Sequence, residues 1–524
     1  MSAFDAGAPV GEGAAELESV LAAHPGVDRA VVLVGHDSDG SPSHTAYVVP
    51  HRNDAVVDDG AALGRQYVAE WQGVYDHVYA QPEPDDPTFD TRGWLSSYTG
   101  AELTDGDMRA WVDATVARIE ALGARRILEV GCGTGLLLHR LVGGTDRYVA
   151  SDVAARAVQR IRDAFGGRPP AGLELRQAAA DDLSDVTPGS VDGFVANSVS
   201  QYFPDEEYLD WVVRQAVDVV DEGGFLFVGD VRSAAVHRAF SAGLELSRAP
   251  ERASSEKVQS LAERRCCTGT ELLIDPSYFT GLMDRLPRVV QVEILPRRGA
   301  DGTEMNRFRY DAVIRLDKLP GGAAVVPEWQ PWDQRRWSAD SLRRHLENER
   351  PEAVGLLGVP NARVLAHHLA AELLARPDRP EPVAEVRRAV SAAVGDAVDP
   401  EDVWALGDDL PYEVRLSWAR SLPDGSFDAA LIRRDGTGAA PPAVRFPDEP
   451  APPRSPVSRP WYGRVENLSP AKLRAHVRAH GGGVPMPGRL VLLESLPLTP
   501  DGKADREALR ALQWASGTGR PENG

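Results

Sequence analysis

The chain is poor in cysteine, with three in 524 residues: Cys132, Cys266 and Cys267. Three thiols without a repeated spacing make no disulfide framework, and such usage fits a reducing, cytoplasmic setting. Long apolar runs are also missing. No stretch approaches the ~18 residues of a membrane helix, so no membrane partner is expected. The opening MSAFDAGAPV lacks an apolar core behind basic residues and does not read as a signal peptide. Basic charge is scarce, with 57 Lys and Arg against 78 Asp and Glu and a formal net charge of −21. Binding to a phosphate backbone needs clustered Lys and Arg, so nucleic acid is not expected either. What remains is globular material, 43% hydrophobic and 26% charged, which excludes a wholly disordered chain. At roughly 150 residues per domain, the length corresponds to about three or four domains.

Hydropathy patterning divides the chain. Residues 10–50 read as one helix (AAELESVLAAH) and two strands (RAVVLVG and SHTAYVVP). The polar HRNDAVVDDGAA reads as a linker. QYVAEWQGVYDHVY then reads as a helix with Trp71, Val74, Tyr75 and Val78 on one face. Such a stripe is usually core, and a lid over a bound cofactor is the alternative. From about 106 to 317 helices and strands alternate, which implies a parallel, doubly wound α/β sheet. Its last two strands, RVVQVEIL and RFRYDAVIRL, have no helical segment between them and suggest an antiparallel edge pair. Residues 330–437 form a further mixed block. PPAVRFPDEPAPPRSPVSRP, with eight prolines in twenty residues, reads as a stiff connector over 438–462. The final block, about 465–512, returns to helix and strand.

The strongest local signal is RRILEVGCGTGLLLHRL. A strand ends at Glu129 and Val130, and Gly131, Gly133 and Gly135 turn the chain into a helix. Glycine permits positive φ there and lets the backbone approach a ligand closely. Three acidic positions support the turn. Glu129 lies two residues before the first glycine. Asp152 ends the next strand, 21 residues after Gly131, where a carboxylate can accept from both hydroxyls of a ribose. Asp182, beside Asp181 in AADDLSD, follows the third strand, where it can accept from an adenine amino group.

This ensemble resembles the class I S-adenosylmethionine-dependent methyltransferases, whose E/D-x-G-x-G-x-G motif it matches at Glu129–Gly135. The resemblance implies a Rossmann-like, mostly parallel seven-stranded sheet. It also implies a cofactor site at Glu129, Gly131, Gly133, Gly135, Asp152, Val153, Asp181, Asp182, Asn197 and Ser198, with S-adenosylhomocysteine as the product. WLSSYTG (94–100), NSVSQYFP (197–204), GDVRS (229–233), LLIDPSYF (272–279) and EMNRFRYD (304–311) look like the N-methyltransferase domains embedded in nonribosomal peptide synthetases. GVPNARV (358–364) and VDPEDVWALG (398–407) look like the small α+β subdomain that trails them. The chain departs from the family at Thr303, where Asn is common before the Glu-Met/Leu pair.

The two ends carry a second resemblance. ELESVLAAHPGVDRAVVLV…AYVVP and LPLTPDGKADREAL look like the beginning and the last core motif of an adenylation domain's C-terminal subdomain. The resemblance implies a small α+β subdomain split into halves at 10–50 and about 465–512, with the methyltransferase (64–317) and its trailing subdomain (330–437) inserted. In that family the equivalent of Lys503 completes the adenylation site. The insertion point is the one associated with backbone N-methylation. No Ser/Thr/Gly-rich nucleotide loop followed by Pro-Lys-Gly is present, nor a carrier-protein attachment motif. The chain is therefore expected not to adenylate on its own, and to take its acyl group from a separate carrier protein, with an adenylation protein acting in trans.

Ligands of open α/β sheets sit beyond the carboxyl ends of the strands. The acceptor is therefore expected near Asn197, Ser198, Gln201 and Tyr202 after the fourth strand, and near Asp230 and Arg232 after the fifth. In this reading Asn197, Gln201 and Tyr202 position the amine, and Asp230 or Glu304 takes its proton. Tyr98 is a further candidate from the family-like strings. The alternatives are the same fold methylating a side chain, a hydroxyl or a free small molecule, or a non-catalytic docking partner of synthetase modules. No metal is expected: His476 and His480 share a helical face, but HVRAH lacks the Glu of H-E-x-x-H and a third ligand. GVPNARV reads as a structural junction before an anion site.

Overall fold

The computed structural model describes residues 13–24, 27–36, 42–50, 57–81, 84–267, 269–299, 302–319, 324–333, 335–395, 397–434, 443–447, 455–458, 460, 470–481, 484–492, 496, 504–506 and 509. Lys503 lies outside them. The chain divides into two compact units, Gly64–Trp461 and the paired ends Met1–Leu63 with Tyr462–Gly524.

The larger unit is built on a seven-stranded sheet. Its strands are β1 (Arg126–Val130), β2 (Arg147–Asp152), β3 (Leu173–Gln177), β4 (Val191–Asn197), β5 (Val220–Arg232), β6 (Val289–Pro296) and β7 (Arg309–Leu316). Their spatial order is β3-β2-β1-β4-β5-β7-β6. The first five pair in parallel, and β7 runs antiparallel to both β5 and β6. Parallel strands are covered on both faces, which is why Ile127 and Leu128 of β1 and Phe194, Val195 and Ala196 of β4 are consecutive apolar residues, all buried. Helix Asp105–Glu120 begins where the Thr104 side chain accepts from the Asp107 amide, and it buries Met108, Trp111, Val112 and Ile119. Helix Glu206–Val219 is capped in the same way by Asp205 and buries Leu209, Val212, Val213 and Ala216.

The sheet order reverses at β1 and β4, and a crevice opens beyond their carboxyl ends. Positive φ occurs at non-glycine residues on both neighbouring strand ends, at Ser198 (56°) and Asp230 (58°). Such residues are rare and costly unless their surroundings hold them, and they cluster at functional sites.

Several expectations need correction. A four-residue helix, Glu304–Arg307, stands between β6 and β7 where none was expected. Helix Val57–Val78 begins inside the stretch read as a linker. The mixed block after residue 330 is not independent. Its sheet, with strands Trp329–Pro331, Ala353–Val359, Tyr412–Ser417 and Phe427–Arg433, shares one apolar core with the seven-stranded sheet. The Trp418 amide donates to Ile294 of β6 at 2.8 Å. Part of the proline-rich connector is also built in. The Asp275 amide donates to Pro456, the Ser458 amide donates to Leu273, and Val457 is buried. GVPNARV is a junction: buried Arg363 donates to the carbonyls of Arg297 and Gly299 and pairs with Asp399.

In the smaller unit the ends of the chain share one sheet. Val27–His36 pairs antiparallel with Pro42–Pro50, which pairs in parallel with Arg489–Leu492. Leu17, Leu21, Val32 and Val48 pack with Leu473 and Val477 of helix Pro470–His480. His476 and His480 stack on each other with ring centroids 4.4 Å apart.

Candidate functional site

A cavity of about 260 Å³ lies at the carboxyl ends of β1, β2, β4 and β5. The glycine turn forms its floor. Gly131, Gly133 and Gly135 have φ of 68°, 53° and 90°, so a side chain at any of them is strained. A Cβ on Gly131 would also stand 2.5 Å from Val199. Asp152 ties the turn to β2: its carboxylate accepts from the Gly133 amide and from the Ala154 amide, each at 2.8 Å. Each oxygen keeps a second acceptor direction for a ligand hydroxyl. Burial raises the Asp152 pKa, and the two amides oppose that rise. Glu129 is buried and accepts from the Tyr148 hydroxyl at 2.8 Å. Burial pushes its carboxyl up to about 7 against the opposing hydrogen bond from Tyr148.

Glu129, Gly131, Gly133, Asp152, Val153, Asn197, Ser198, Gln201, Tyr202 and Glu304 all line this cavity. Asn197 ends β4 and Gln201 lies in the turn that follows. Both are buried, and Asn197 Oδ1 and Gln201 Oε1 have no hydrogen-bond partner. Buried polar atoms are normally satisfied, so two orphaned oxygens on residues of one cavity wall stand out, with Asn197 Oδ1 lying against Gly229 of β5. Glu304 is fixed at the opposite wall. Its two oxygens accept from the Ser97 amide at 2.7 Å and the Ser97 hydroxyl at 2.8 Å.

Gly135, Asp181, Asp182, Tyr98 and Asp230 are placed outside the lining. Gly135 sits behind the turn, against His139 and Ile161. Asp181 accepts from the Tyr208 hydroxyl at 2.9 Å. Asp182 is exposed and caps Ser184 through its amide and hydroxyl. The Tyr98 hydroxyl stands 3.4 Å from His367 Nε2, and burial raises its pKa to about 12. Asp230 is fully buried and pairs with Arg309, with Arg297 Nε at 3.9 Å. It also accepts from the Ser198 hydroxyl and from Trp111 Nε1. A carboxylate committed to these donors and walled from the cavity is no proton acceptor for a ligand. Its place is to hold Ser198 and Arg309. Arg297 continues the network to Asp311 at 2.5 Å. Burial works against the Asp311 carboxylate, but Arg297 and Arg118 outweigh it and keep its pKa below the usual range.

The sequence reading missed part of the wall. Asp90, Arg92 and Trp94 close over the turn, with the Thr134 hydroxyl donating to the Asp90 carbonyl at 3.0 Å. Nothing in their spacing signals this, since the contact spans 44 residues. Glu271 also lines the cavity and pairs with Arg232 at 2.8 Å. The aromatic stripe is the opposite case. Trp71, Tyr75 and Tyr79 line the cavity while Val74 is 48% exposed, so the stripe faces the cavity and not a closed core.

The glycine cradle and the two-oxygen acceptor Asp152 fit an adenosyl ligand. Residues 128–226 match the methyltransferase domain family. The chain is 35% identical over 95% of its length to the chondramide synthase of Chondromyces crocatus, and covers 13% of that protein. It is 31% identical over 94% of its length to a probable non-canonical nonribosomal peptide synthetase of Salinispora arenicola, of which it covers 6%. It is 30% identical over 94% of its length to the beauvericin nonribosomal cyclodepsipeptide synthetase of Beauveria bassiana, of which it covers 16%. The chain thus spans 16% or less of these relatives. Among solved structures, the N-methyltransferase NodS of Bradyrhizobium japonicum with S-adenosylhomocysteine is 15% identical with a TM-score of 0.30, covering 47% of this chain and 98% of that one. The chain carries a class I methyltransferase domain of the kind embedded in nonribosomal peptide synthetases.

Proposed function

We propose that this chain moves the methyl group of S-adenosylmethionine to the α-amine of an aminoacyl group held as a thioester on a carrier protein's phosphopantetheine arm. The observation that carries this reading is the meeting of the glycine turn and Asp152 with Asn197, Gln201, Tyr202 and Glu304 on one cavity. A neutral primary amine has two N–H donors and one lone pair. Two acceptors can take both N–H groups and leave the lone pair free for the methyl. A hydroxyl has one proton and satisfies only one of them.

When bound, S-adenosylmethionine supplies a methyl already activated on a sulfonium. Asp152 and the amides of the glycine turn hold the adenosyl end. Trp71, Tyr75 and Tyr202 exclude water. Asn197 and Gln201 orient the amine, and orientation supplies most of the rate. Glu304, held by Ser97, accepts the proton that leaves the nitrogen, directly or through water. An α-amine has a pKa near 7.7–8.0, so much of it is neutral without a strong base.

In the same reading the two ends form a split adenylation-type subdomain that activates no amino acid alone, and an adenylation protein charges the carrier in trans in the cytoplasm. Among the described residues no helix is long and apolar enough to cross a membrane. The test is intact-protein mass of an aminoacyl-loaded carrier after incubation with the chain and S-adenosylmethionine. One added methyl, found on the α-nitrogen after hydrolysis, supports the proposal. A methyl on oxygen or on the side chain overturns it.

A further inference from the structure

Glu304 is held from two directions, and both holds come from parts of the chain outside the strands that end at the cavity. The first is Ser97. Oε2 of Glu304 accepts from the Ser97 amide at 2.7 Å and Oε1 from the Ser97 hydroxyl at 2.8 Å. A free glutamate side chain turns about three bonds. Two hydrogen bonds to separate oxygens fix the plane of the carboxylate as well as its place, and each oxygen keeps a further acceptor direction. Ser97 itself stands outside the cavity lining.

Ser97 is in turn fixed by its own loop. Leu95 bridges to Glu102, the Leu103 amide donates to the Trp94 carbonyl at 2.9 Å, and the Gly100 amide donates to the Ser96 carbonyl at 2.7 Å. Arg248, at the end of helix His237–Arg248, donates through Nη2 to the Ser97 carbonyl and through Nε to the Tyr98 carbonyl at 3.5 Å. The loop thus turns its carbonyls to Arg248, and the amide and hydroxyl of Ser97 to Glu304.

The second hold lies under the backbone. Helix Glu304–Arg307 is a single turn, and Thr303 at its start gives no side-chain cap. One turn does not sustain itself, because its nucleation cost is not repaid by propagation. Asn306 anchors it by donating to the Gly299 carbonyl at 2.7 Å. The same carbonyl accepts from Arg363 Nη2 at 2.7 Å, and the Gly299 amide donates to Glu401 at 2.6 Å. Arg363 and Glu401 belong to the mixed block after residue 330, so that block reaches Glu304 through Gly299 and Asn306.

We infer that Ser97 is a positioning residue for the methyl transfer: it aims the Glu304 carboxylate, while Arg248 holds Ser97 and the Arg363–Gly299–Asn306 contacts seat the helix that carries Glu304. The inference rests on the proposed role of Glu304 as acceptor of the amine proton. A catalytic group has to stand within about 0.5 Å of its productive place, and a misplacement of about 1 Å costs up to about 10²-fold. Ser97→Ala removes the hydroxyl and keeps the amide, so the carboxylate stays in reach but loses its fixed plane.

The experiment measures methylation of an aminoacyl-loaded carrier by the full chain and by Ser97→Ala, Ser97→Thr, Glu304→Gln and Ser97→Ala combined with Glu304→Gln. Calorimetry gives the S-adenosylmethionine affinity of each. Ser97→Ala is expected to lower kcat about ten-fold, with KM for the carrier and S-adenosylmethionine affinity within about two-fold. Ser97→Thr keeps a hydroxyl and should return kcat to within about three-fold. In the Glu304→Gln background, Ser97→Ala should lower turnover less than about two-fold further, because the group it aims is already gone. A kcat within two-fold of the unsubstituted chain for Ser97→Ala overturns the inference. A further ten-fold loss in the Glu304→Gln background does so too, since Ser97 would then act without Glu304. A fall in S-adenosylmethionine affinity that matches the fall in kcat also overturns it, because Ser97 would then only support the fold. A change under three-fold in Glu304→Gln removes the base on which the inference rests, and no methylation by the unsubstituted chain overturns the functional reading itself.

Discussion

Glu129→Gln tests the electrostatics of the cavity floor. The side chain is buried and accepts from the Tyr148 hydroxyl, which can donate equally to an amide oxygen. The substitution removes a charge and keeps shape and hydrogen bond. In the free protein, burial raises the Glu129 carboxyl from 4.5 to about 7. Between those values the native chain keeps a proton that the unfolded chain has released. The sign follows: the wild type loses stability as pH rises from about 4.5 to about 7, and stays at the lower value above that. At about 1.4 kcal/mol per decade of proton concentration, the loss is about 3 kcal/mol. Glutamine carries no such loss. The larger unit has about 400 residues, and at roughly 2 cal/mol/K of unfolding entropy per residue this corresponds to about 4 °C in Tm. Thermal melts of both proteins without ligand should coincide near pH 4.5 and separate to about 4 °C by pH 8, with the variant higher. Buried His237 and His367, whose pKa values burial lowers to about 4, titrate in both proteins and cancel in the difference. A difference that stays flat from pH 5 to 8 refutes the reasoning.

Asp230→Asn should destabilise the chain by about 3–5 kcal/mol, because it strips the buried Arg309 of its counter-charge; denaturant titration that finds less than about 1 kcal/mol removes the network from its supporting place. Glu304→Gln should lower turnover on a loaded carrier by about 10²-fold or more if Glu304 accepts the proton, and a change under three-fold excludes it. Tyr98→Phe should leave turnover within about two-fold, since its hydroxyl faces His367 and not the cavity; a ten-fold fall would return Tyr98 to the site. Asp182→Ala should leave S-adenosylmethionine affinity within about two-fold by calorimetry, because it lies outside the cavity lining with its Oδ1 turned to Ser184, and a ten-fold loss would restore it as an adenine acceptor.

Much of the sheet was readable because each parallel strand is a short apolar run between helices. β2, RYVASD, emerges with the bounds its pattern implies. The glycine turn was readable for a local reason: positive φ at 131, 133 and 135 can be seen in the residue type itself. The short helix Glu304–Arg307 was not, because four residues carry no period. Asp230 was misread because a strand-end carboxylate looks the same whether it faces ligand or salt bridge. Its partner Arg309 lies 79 residues away.

Composition and local spacing alone settled that a glycine turn ends the first sheet strand. That conclusion rests on backbone sterics, which need no knowledge of distant contacts. Only the tertiary structure decided that the Trp71 stripe faces the cavity, and that Arg92 and Glu271 belong to its wall. Burial and pairing are set by residues far apart in sequence, and a carboxylate's role depends on which donors the fold brings to it.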